Sequence, residues 1–103
     1  MITIQHEETG KNGIFEAWMK SSQEEMHIEP VQVGEMTYVR STPERMIIDH
    51  TRVFDGYEGK GIARLMVLAA VDFARANNRH IIPLCSYAQA LLTRSDEYND
   101  ILA

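Results

Sequence analysis

Three glycines, Gly56, Gly59 and Gly61, fall within six residues at the point where the apolar pattern of the chain changes. Before them, residues 46–53 are rich in β-branched side chains and predict a strand. After them, apolar residues recur every three or four positions, which is typical of the buried side of a helix. A strand that passes through a tight turn into a helix needs a sheet on which that helix can pack. The chain is therefore predicted to combine sheet and helix.

The helix after the glycines is predicted to bury one apolar stripe. Its members are Ile62, Leu65, Met66, Ala69, Phe73 and Ala76. Asn77-Asn78 predicts the end of the helix, and the apolar run 80–85 predicts a further strand, which Pro83 marks as an edge or strand-end element. Two strands joined through one helix are expected to be parallel with a right-handed crossover, and such units bind ligands beyond the carboxyl ends of their strands.

The part of the chain before this strand–helix–strand unit is predicted to form strands. Alternating or β-branched patterns predict three of them, over residues 1–5, 14–19 and 33–40. Residues 8–13 predict a turn between the first two, and the polar, acidic residues 20–30 are interpreted as an exposed excursion. These strands precede the unit, so the sheet is expected to be mixed and the fold class α+β.

The chain after the unit predicts a short helix over residues 87–93, capped by Ser86. The tail carries Tyr98, Ile101 and Leu102, which are expected to dock on the core. With 103 residues, the whole chain, 1–103, is expected to be a single domain.

Composition narrows the class of partner. Ten Lys and Arg against fifteen Asp and Glu give a net charge of −5, which argues against a non-specific nucleic-acid or anionic-membrane binder. The sequence has no apolar run of bilayer length and no signal-peptide pattern at its start, so we expect a cytoplasmic protein. Cys85, the one cysteine, excludes an intrachain disulfide, and the histidines lack metal-ligand spacing, so no metal site is expected.

The segment from Glu58 to Ala63 is suited to bind an anion. Its glycines permit a tight turn and close approach, and the first N–H groups of the following helix lack acceptors within the helix. Lys60 adds positive charge, so the segment predicts a phosphate or pyrophosphate cradle. A glycine turn without a ligand is an equally good interpretation of this short pattern.

The residues Asp49-His50-Thr51-Arg52-Val53, followed by Gly59-Lys60-Gly61-Ile62-Ala63, resemble the acyl-CoA-binding motif of the GNAT acetyltransferase superfamily. That motif has Arg or Gln, two spacers, Gly, one spacer, then Gly or Ala. Gly61 and Ala63 match its small positions, and Glu58 replaces the Arg or Gln.

The resemblance is closer to small single-domain GNAT-like proteins. The shared pieces, in the same order, are Gly34-Glu35-Met36-Thr37-Tyr38, His50-Thr51, Pro83-Leu84-Cys85 and Glu97-Tyr98. It covers about residues 34–102 and implies a GNAT-like mixed sheet. It also implies acetyl-CoA as cosubstrate and an unidentified amine as acetyl acceptor.

The resemblance also implies which residues bind CoA. Backbone near Arg52, Val53 and Phe54 would pair with the pantetheine arm. The pyrophosphate would lie on the turn formed by Glu58, Gly59, Lys60, Gly61, Ile62 and Ala63.

Cys85 and His50 are the candidate catalytic residues, because the resemblance places both near the thioester. Cys85 could accept the acetyl group with His50 as base, or protonate the leaving CoA thiolate while His50 takes a proton from the amine. Alternatively, Cys85 is a small buried apolar residue and His50 a hydrogen-bonded core histidine. Many GNAT enzymes use a tyrosine of the last helix as acid, and here Leu91 stands at that position.

Three functions follow as hypotheses. The first is an N-acetyltransferase. The second is a non-catalytic acyl-CoA-binding or sensor module, indicated by Glu58 and Leu91 at their two motif positions. The third is a nucleotide- or phosphate-binding α/β domain unrelated to GNAT proteins.

Overall fold

The computed structural model describes residues 1–20 and 29–103. The excursion predicted over residues 20–30 therefore lies largely outside the described residues. The elements, in chain order, are β1 (Ile2–Thr9), β2 (Asn12–Met19), β3 (Val31–Thr42), β4 (Arg45–Val53), α1 (Ile62–Ala76), β5 (His80–Pro83) and α2 (Ser86–Leu92). A 3-10 turn (Asp96–Tyr98) follows α2.

One mixed sheet contains the five strands in the order β1-β2-β3-β4-β5. The pairs β1/β2, β2/β3 and β3/β4 are antiparallel. The pair β4/β5 is parallel, and β5 lies at the edge of the sheet. The α+β class, the mixed sheet and the edge position of β5 are thus confirmed. α1 connects the parallel pair, as its apolar pattern predicts.

A bulge in β4 changes which side chains face the core. Thr37 pairs with His50, but Tyr38 pairs with Ile48, so Asp49 is an extra residue in β4. Thr51, which pairs with buried Met36, then lies on the core face, and His50 lies on the opposite face. The bulge therefore fixes the orientation of the candidate site residues.

α1 packs on the sheet through a face that differs from the predicted stripe. Its buried residues are Ile62, Met66, Val67, Ala70, Val71 and Ala74. Leu65 is 41% exposed and Ala76 is exposed, so the prediction that these two residues belong to the buried stripe was wrong. The buried face is therefore rotated relative to the predicted stripe, and it includes Val67, Ala70, Val71 and Ala74, which the stripe did not contain.

In the N-terminal hairpin, the first strand is longer and the turn is shorter than the predicted strand 1–5 and turn 8–13. β1 extends to Thr9 and the turn lies at Gly10, where φ is +62°, so Glu8 is a strand residue. Glu8 pairs with Gly13 and points to the core face of the sheet. Its carboxylate is accommodated there because it has a charged partner, Arg79, and a hydroxyl partner, Tyr38.

These partners form a polar cluster, which we call the inner network: His6, Glu8, Tyr38 and Arg79. Arg79 donates two hydrogen bonds to the Glu8 carboxylate, at 2.6 and 3.3 Å. The Tyr38 hydroxyl donates to Glu8 Oε2 at 2.6 Å and accepts from His6 Nε2 at 2.7 Å. This pattern assigns the imidazole proton to Nε2. The inner network connects β1, β3 and the α1–β5 turn.

The inner network holds its members in defined charge states. Hydrogen bonds from Arg79 lower the pKa of Glu8 to about 2, against the desolvation that would raise it. Burial and the bond to Glu8 raise the pKa of Tyr38, and burial lowers the pKa of His6. A carboxylate, a guanidinium, a neutral phenol and a neutral imidazole are therefore stabilised together.

The C-terminal residues pack on the core, as predicted. Tyr98 and Ile101 are buried, and Leu102 is partly buried and forms a bridge with Ile81. α2 begins at Ser86 with Cys85 as its N-cap, so the prediction of Ser86 as the cap was wrong by one residue. Across residues 1–20 and 29–103, no helix has both the length and the apolar character needed to cross a membrane.

Candidate active site

The two parallel strands stay paired for only four residues. Their register runs from Arg45 opposite His80 to Ile48 opposite Pro83. The N–H groups of Leu84 and Cys85 both donate to the Ile48 carbonyl at 3.0 Å, which ends the pairing. Residues 49–53 of β4 continue past this point without a β5 partner. A gap therefore opens between the strands at their carboxyl ends.

Cys85 lies at the closed end of this gap. It is half-buried, and its thiol donates a hydrogen bond to Thr51 Oγ1 at 3.3 Å. Burial alone would raise the pKa of this thiol. After deprotonation the sulfur accepts hydrogen bonds from the Thr51 hydroxyl and from the N–H groups of Ala88, Tyr87 and Thr51, and these bonds outweigh burial and lower the pKa of the thiol. The surroundings thus stabilise a thiolate and make the thiol a stronger acid.

His50 lies on the other side of β4. Its side chain is half exposed, and Nε2 is 3.9 Å from the Glu35 carboxylate. Adjacent strand residues point to opposite faces, so Thr51 meets Cys85 and His50 does not. Asp49 and His50 are both exposed, so His50 is not the hydrogen-bonded core histidine of the alternative interpretation. The sequence drew attention to His50, but the direct partner of the thiol is Thr51.

The glycine turn has the conformation that its sequence predicts. Gly56, Gly59 and Gly61 all have positive φ, at +92°, +78° and +75°. A Cβ atom at any of the three would meet no protein atom within 4 Å, so one side of the turn is open. Gly61 is the N-cap of α1, without a side-chain cap and without an acidic residue in the first turn. The first N–H groups of α1 therefore remain available to an anion.

Other residues of the predicted CoA site have internal partners. The Glu58 carboxylate accepts a hydrogen bond from the Gly56 N–H at 3.0 Å, so the residue that replaces Arg or Gln stabilises the turn itself. The Phe54 N–H donates to Val33 and its carbonyl accepts from Tyr57, so its backbone is already bonded within the protein. The Arg52 guanidinium lies over the Phe54 ring at 4.6 Å.

The remaining predicted residues line the open part of the site. Val53 is half-buried at the end of β4, and Lys60 is exposed in the turn. Ile62 is buried as the first residue of α1 and anchors the turn to the core, while Ala63 is half-buried beside it. The small side chain of Ala63 leaves room for a group approaching the helix start.

Comparisons with known proteins agree with this fold. A family model described as GCN5-related N-acetyl-transferase matches residues 23–101. A solution NMR structure of a GCN5-like candidate N-acetyltransferase from Staphylococcus aureus is similar, with a TM-score of 0.63 and 26% sequence identity. The similarity covers 96% of this chain and 87% of that protein. No curated protein matches the sequence.

Proposed function

Because this chain belongs to the GCN5-related N-acetyltransferase (GNAT) family, we propose that it binds acetyl-CoA and transfers the acetyl group to an amine. The pyrophosphate would lie on the open side of the glycine turn, bound by N–H groups from Gly59 to Ala63 and by Lys60. The pantetheine arm would enter the gap between β4 and β5 beside Arg52 and Val53, which places the thioester near Cys85.

The observation that carries the proposal is the Cys85–Thr51 contact at the closed end of the gap. A thiol bonded to a neighbouring hydroxyl at the end of a channel is positioned to act on a thioester sulfur. We assign to Cys85 the role of proton donor. The amine attacks the thioester carbonyl, the C–S bond breaks, and Cys85 protonates the CoA thiolate and then regains a proton from solvent.

His50 is proposed to take the proton from the attacking amine. It lies on the face of β4 opposite Thr51, so a base there serves an acceptor that approaches from the side away from the thiol. Glu35 is 3.9 Å from His50, and Asp49 is exposed next to it, so this side presents negative charge to a cationic amine. The position of His50 also argues against the alternative in which it deprotonates Cys85 for covalent catalysis.

Calorimetric titration with acetyl-CoA, with ATP as control, tests the binding step. We expect saturable binding of acetyl-CoA and none of ATP. A preference for ATP would instead support a nucleotide-binding domain. Turnover is then measured with amines, polyamines and lysine peptides as acceptors, and Cys85→Ala should lose acetyl transfer while it retains CoA binding.

Mass spectrometry of the protein incubated with acetyl-CoA and no acceptor distinguishes the two roles of the thiol. We expect unmodified Cys85. Stoichiometric acetyl-Cys85 that disappears when an amine is added would replace the proton-donor role with covalent catalysis.

A binding module without transferase activity is the second candidate. Leu91 stands where many relatives carry a catalytic tyrosine, and it is buried, with 4% exposure. No reactive side chain therefore reaches the site from that position. Tight acetyl-CoA binding without turnover on any acceptor of the screen would favour this function.

A further inference from the structure

A groove of about 200 Å³ lies between α1 and the end of α2. Its lining residues are Arg64, Leu91, Arg94, Ser95, Glu97 and Tyr98. Leu91 and Tyr98 are buried and form its floor, while the polar residues are exposed at its rim. Residues from two separate segments thus bring two guanidinium groups to one concave surface.

The two arginines of this groove are free to bind an anion. Among residues 1–20 and 29–103, neither Arg64 nor Arg94 forms an ion pair within 4.0 Å, whereas Arg40, Arg75 and Arg79 each pair with a carboxylate. Two unpaired arginines converge here although the chain has a net charge of −5. Paired guanidinium groups suit phosphate, because their planar N–H forks match its oxygens.

One residue of the groove, Arg64, belongs to the first turn of α1, directly after the glycine turn in the chain. Arg64 is three residues after the N-cap Gly61, so its Cα is about 5 Å further along the helix axis. Positive charge at a helix start is unfavourable by itself, because the helix dipole is also positive there. A bound anion offsets this repulsion, and a ligand whose pyrophosphate lies on the turn and which carries a further phosphate group would place that group toward Arg64.

We propose that this groove binds the ribose 3′-phosphate of CoA, through Arg64 and Arg94. The inference rests on the proposed function, which places the CoA pyrophosphate on the adjacent turn. CoA carries this phosphomonoester on the ribose next to the pyrophosphate, one sugar away. Ser95 Oγ accepts a hydrogen bond from the Glu97 N–H at 3.3 Å, so its hydroxyl proton is free to donate to a phosphate oxygen.

Glu97 opposes this phosphate. Its carboxylate is exposed at the rim of the same groove and carries the same sign of charge as the ligand. Removing that charge should therefore strengthen binding of only the ligand that carries the 3′-phosphate. Few mutations improve the affinity for one ligand and leave the other unchanged, so Glu97→Gln is a sharp test of the assignment.

The experiment titrates the full chain with acetyl-CoA and with acetyl-3′-dephospho-CoA. We expect the wild type to bind acetyl-CoA about tenfold more tightly, since charge-assisted bonds at an exposed site are of this size. In Arg64→Ala/Arg94→Ala the two affinities should become equal through loss of acetyl-CoA affinity only. Glu97→Gln should increase the preference of the wild type about twofold.

Arg45→Ala is the matched control, because Arg45 is also exposed and unpaired among the described residues but lies at the opposite end of β4. It removes one positive charge, as each of the two groove substitutions does, and should retain the full preference. Equal wild-type affinities for the two ligands would overturn the inference and leave the proposed function standing. Binding of neither ligand would overturn both. If Arg45→Ala lost the preference for acetyl-CoA to the same extent, the preference would depend only on net charge. That result would overturn the groove assignment.

Discussion

The inner network and the gap between β4 and β5 use their polar groups in opposite ways. In the inner network, Glu8 is bonded by Arg79 and Tyr38, and Tyr38 is bonded in turn by His6. At the gap, the start of α1 has no side-chain cap, and Cys85 has a single side-chain partner, Thr51. The first arrangement is closed to further partners, and the second leaves donors unused.

This difference separates stability from binding. Buried polar groups that are fully bonded to one another stabilise one arrangement of the chain, and a ligand would have to break them to bind. Donors left unused at an open surface contribute little to folding and are available to a ligand. The two regions should therefore respond to mutation independently, which the following four predictions test.

The largest expected effect is that of Gly13→Ala on the inner network. A Cβ atom at Gly13 would lie 2.0 Å from the ring of Tyr38, which is 1% exposed and cannot move outward. We expect a loss of about 3 kcal/mol of unfolding free energy, measured by chemical denaturation. Gly10→Ala is the control. It meets no atom within 4 Å but has a positive φ of +62°, so it should cost about 1 kcal/mol. Equal losses would contradict the tight packing at Gly13.

The next effect is on binding, at the glycine turn. Gly61→Asp places a negative charge where the pyrophosphate is proposed to lie, and its Cβ meets no protein atom. We expect at least about a hundredfold loss of acetyl-CoA affinity, or about 2.7 kcal/mol. Gly61→Asn tolerates the same positive φ without the charge and should retain much more affinity. Full affinity in a folded Gly61→Asp variant would exclude this turn as the phosphate site.

The sequence predicted the part of the fold that depends on local pattern. Each element of the strand, glycine turn, helix and edge strand has its own spacing of apolar residues or its own residue type. The order of these elements requires that the two strands be parallel. Glu8 was assigned to a turn because turn-forming residues follow it. Its partner Arg79 is 71 residues away along the chain, so no local pattern could reveal that a carboxylate there is half-buried and paired.

The candidate site was predicted less completely, for a geometric reason. The sequence identified Cys85, His50 and the glycine turn, but it could not show which of two adjacent β4 residues meets the thiol. The bulge at Asp49 decides this, because one extra residue reverses the facing of every later side chain in the strand. Thr51 therefore meets Cys85, and only the structure could assign it.

A third prediction concerns the pH dependence of the inner network. The pKa of Glu8 is lowered from 4.5 to about 2, so its stabilising contribution is complete above pH 4.5 and is lost as the pH falls toward 2. Glu8→Gln should cost about 2 kcal/mol at neutral pH, and its deficit should shrink across that window. Denaturation curves at several pH values measure this. Glu7→Gln, an exposed neighbour, should show no such deficit, and a Glu8→Gln deficit independent of pH would contradict the assigned charge state.

The smallest expected effect is on the reactivity of Cys85, and it should leave the inner network unchanged. Thr51→Val removes the hydroxyl that bonds Cys85 and keeps the shape of the side chain, so the pKa of the thiol should rise. At neutral pH we expect alkylation by iodoacetamide to slow about threefold, which corresponds to the loss of one weak hydrogen bond. Thr51→Ser retains the hydroxyl and should react like the wild type. Denaturation of both variants should stay within about 1 kcal/mol of the wild type, because neither touches the inner network. An unchanged alkylation profile in Thr51→Val would mean that the main-chain N–H groups alone set the reactivity of Cys85, and the proton-donor role would then not depend on Thr51.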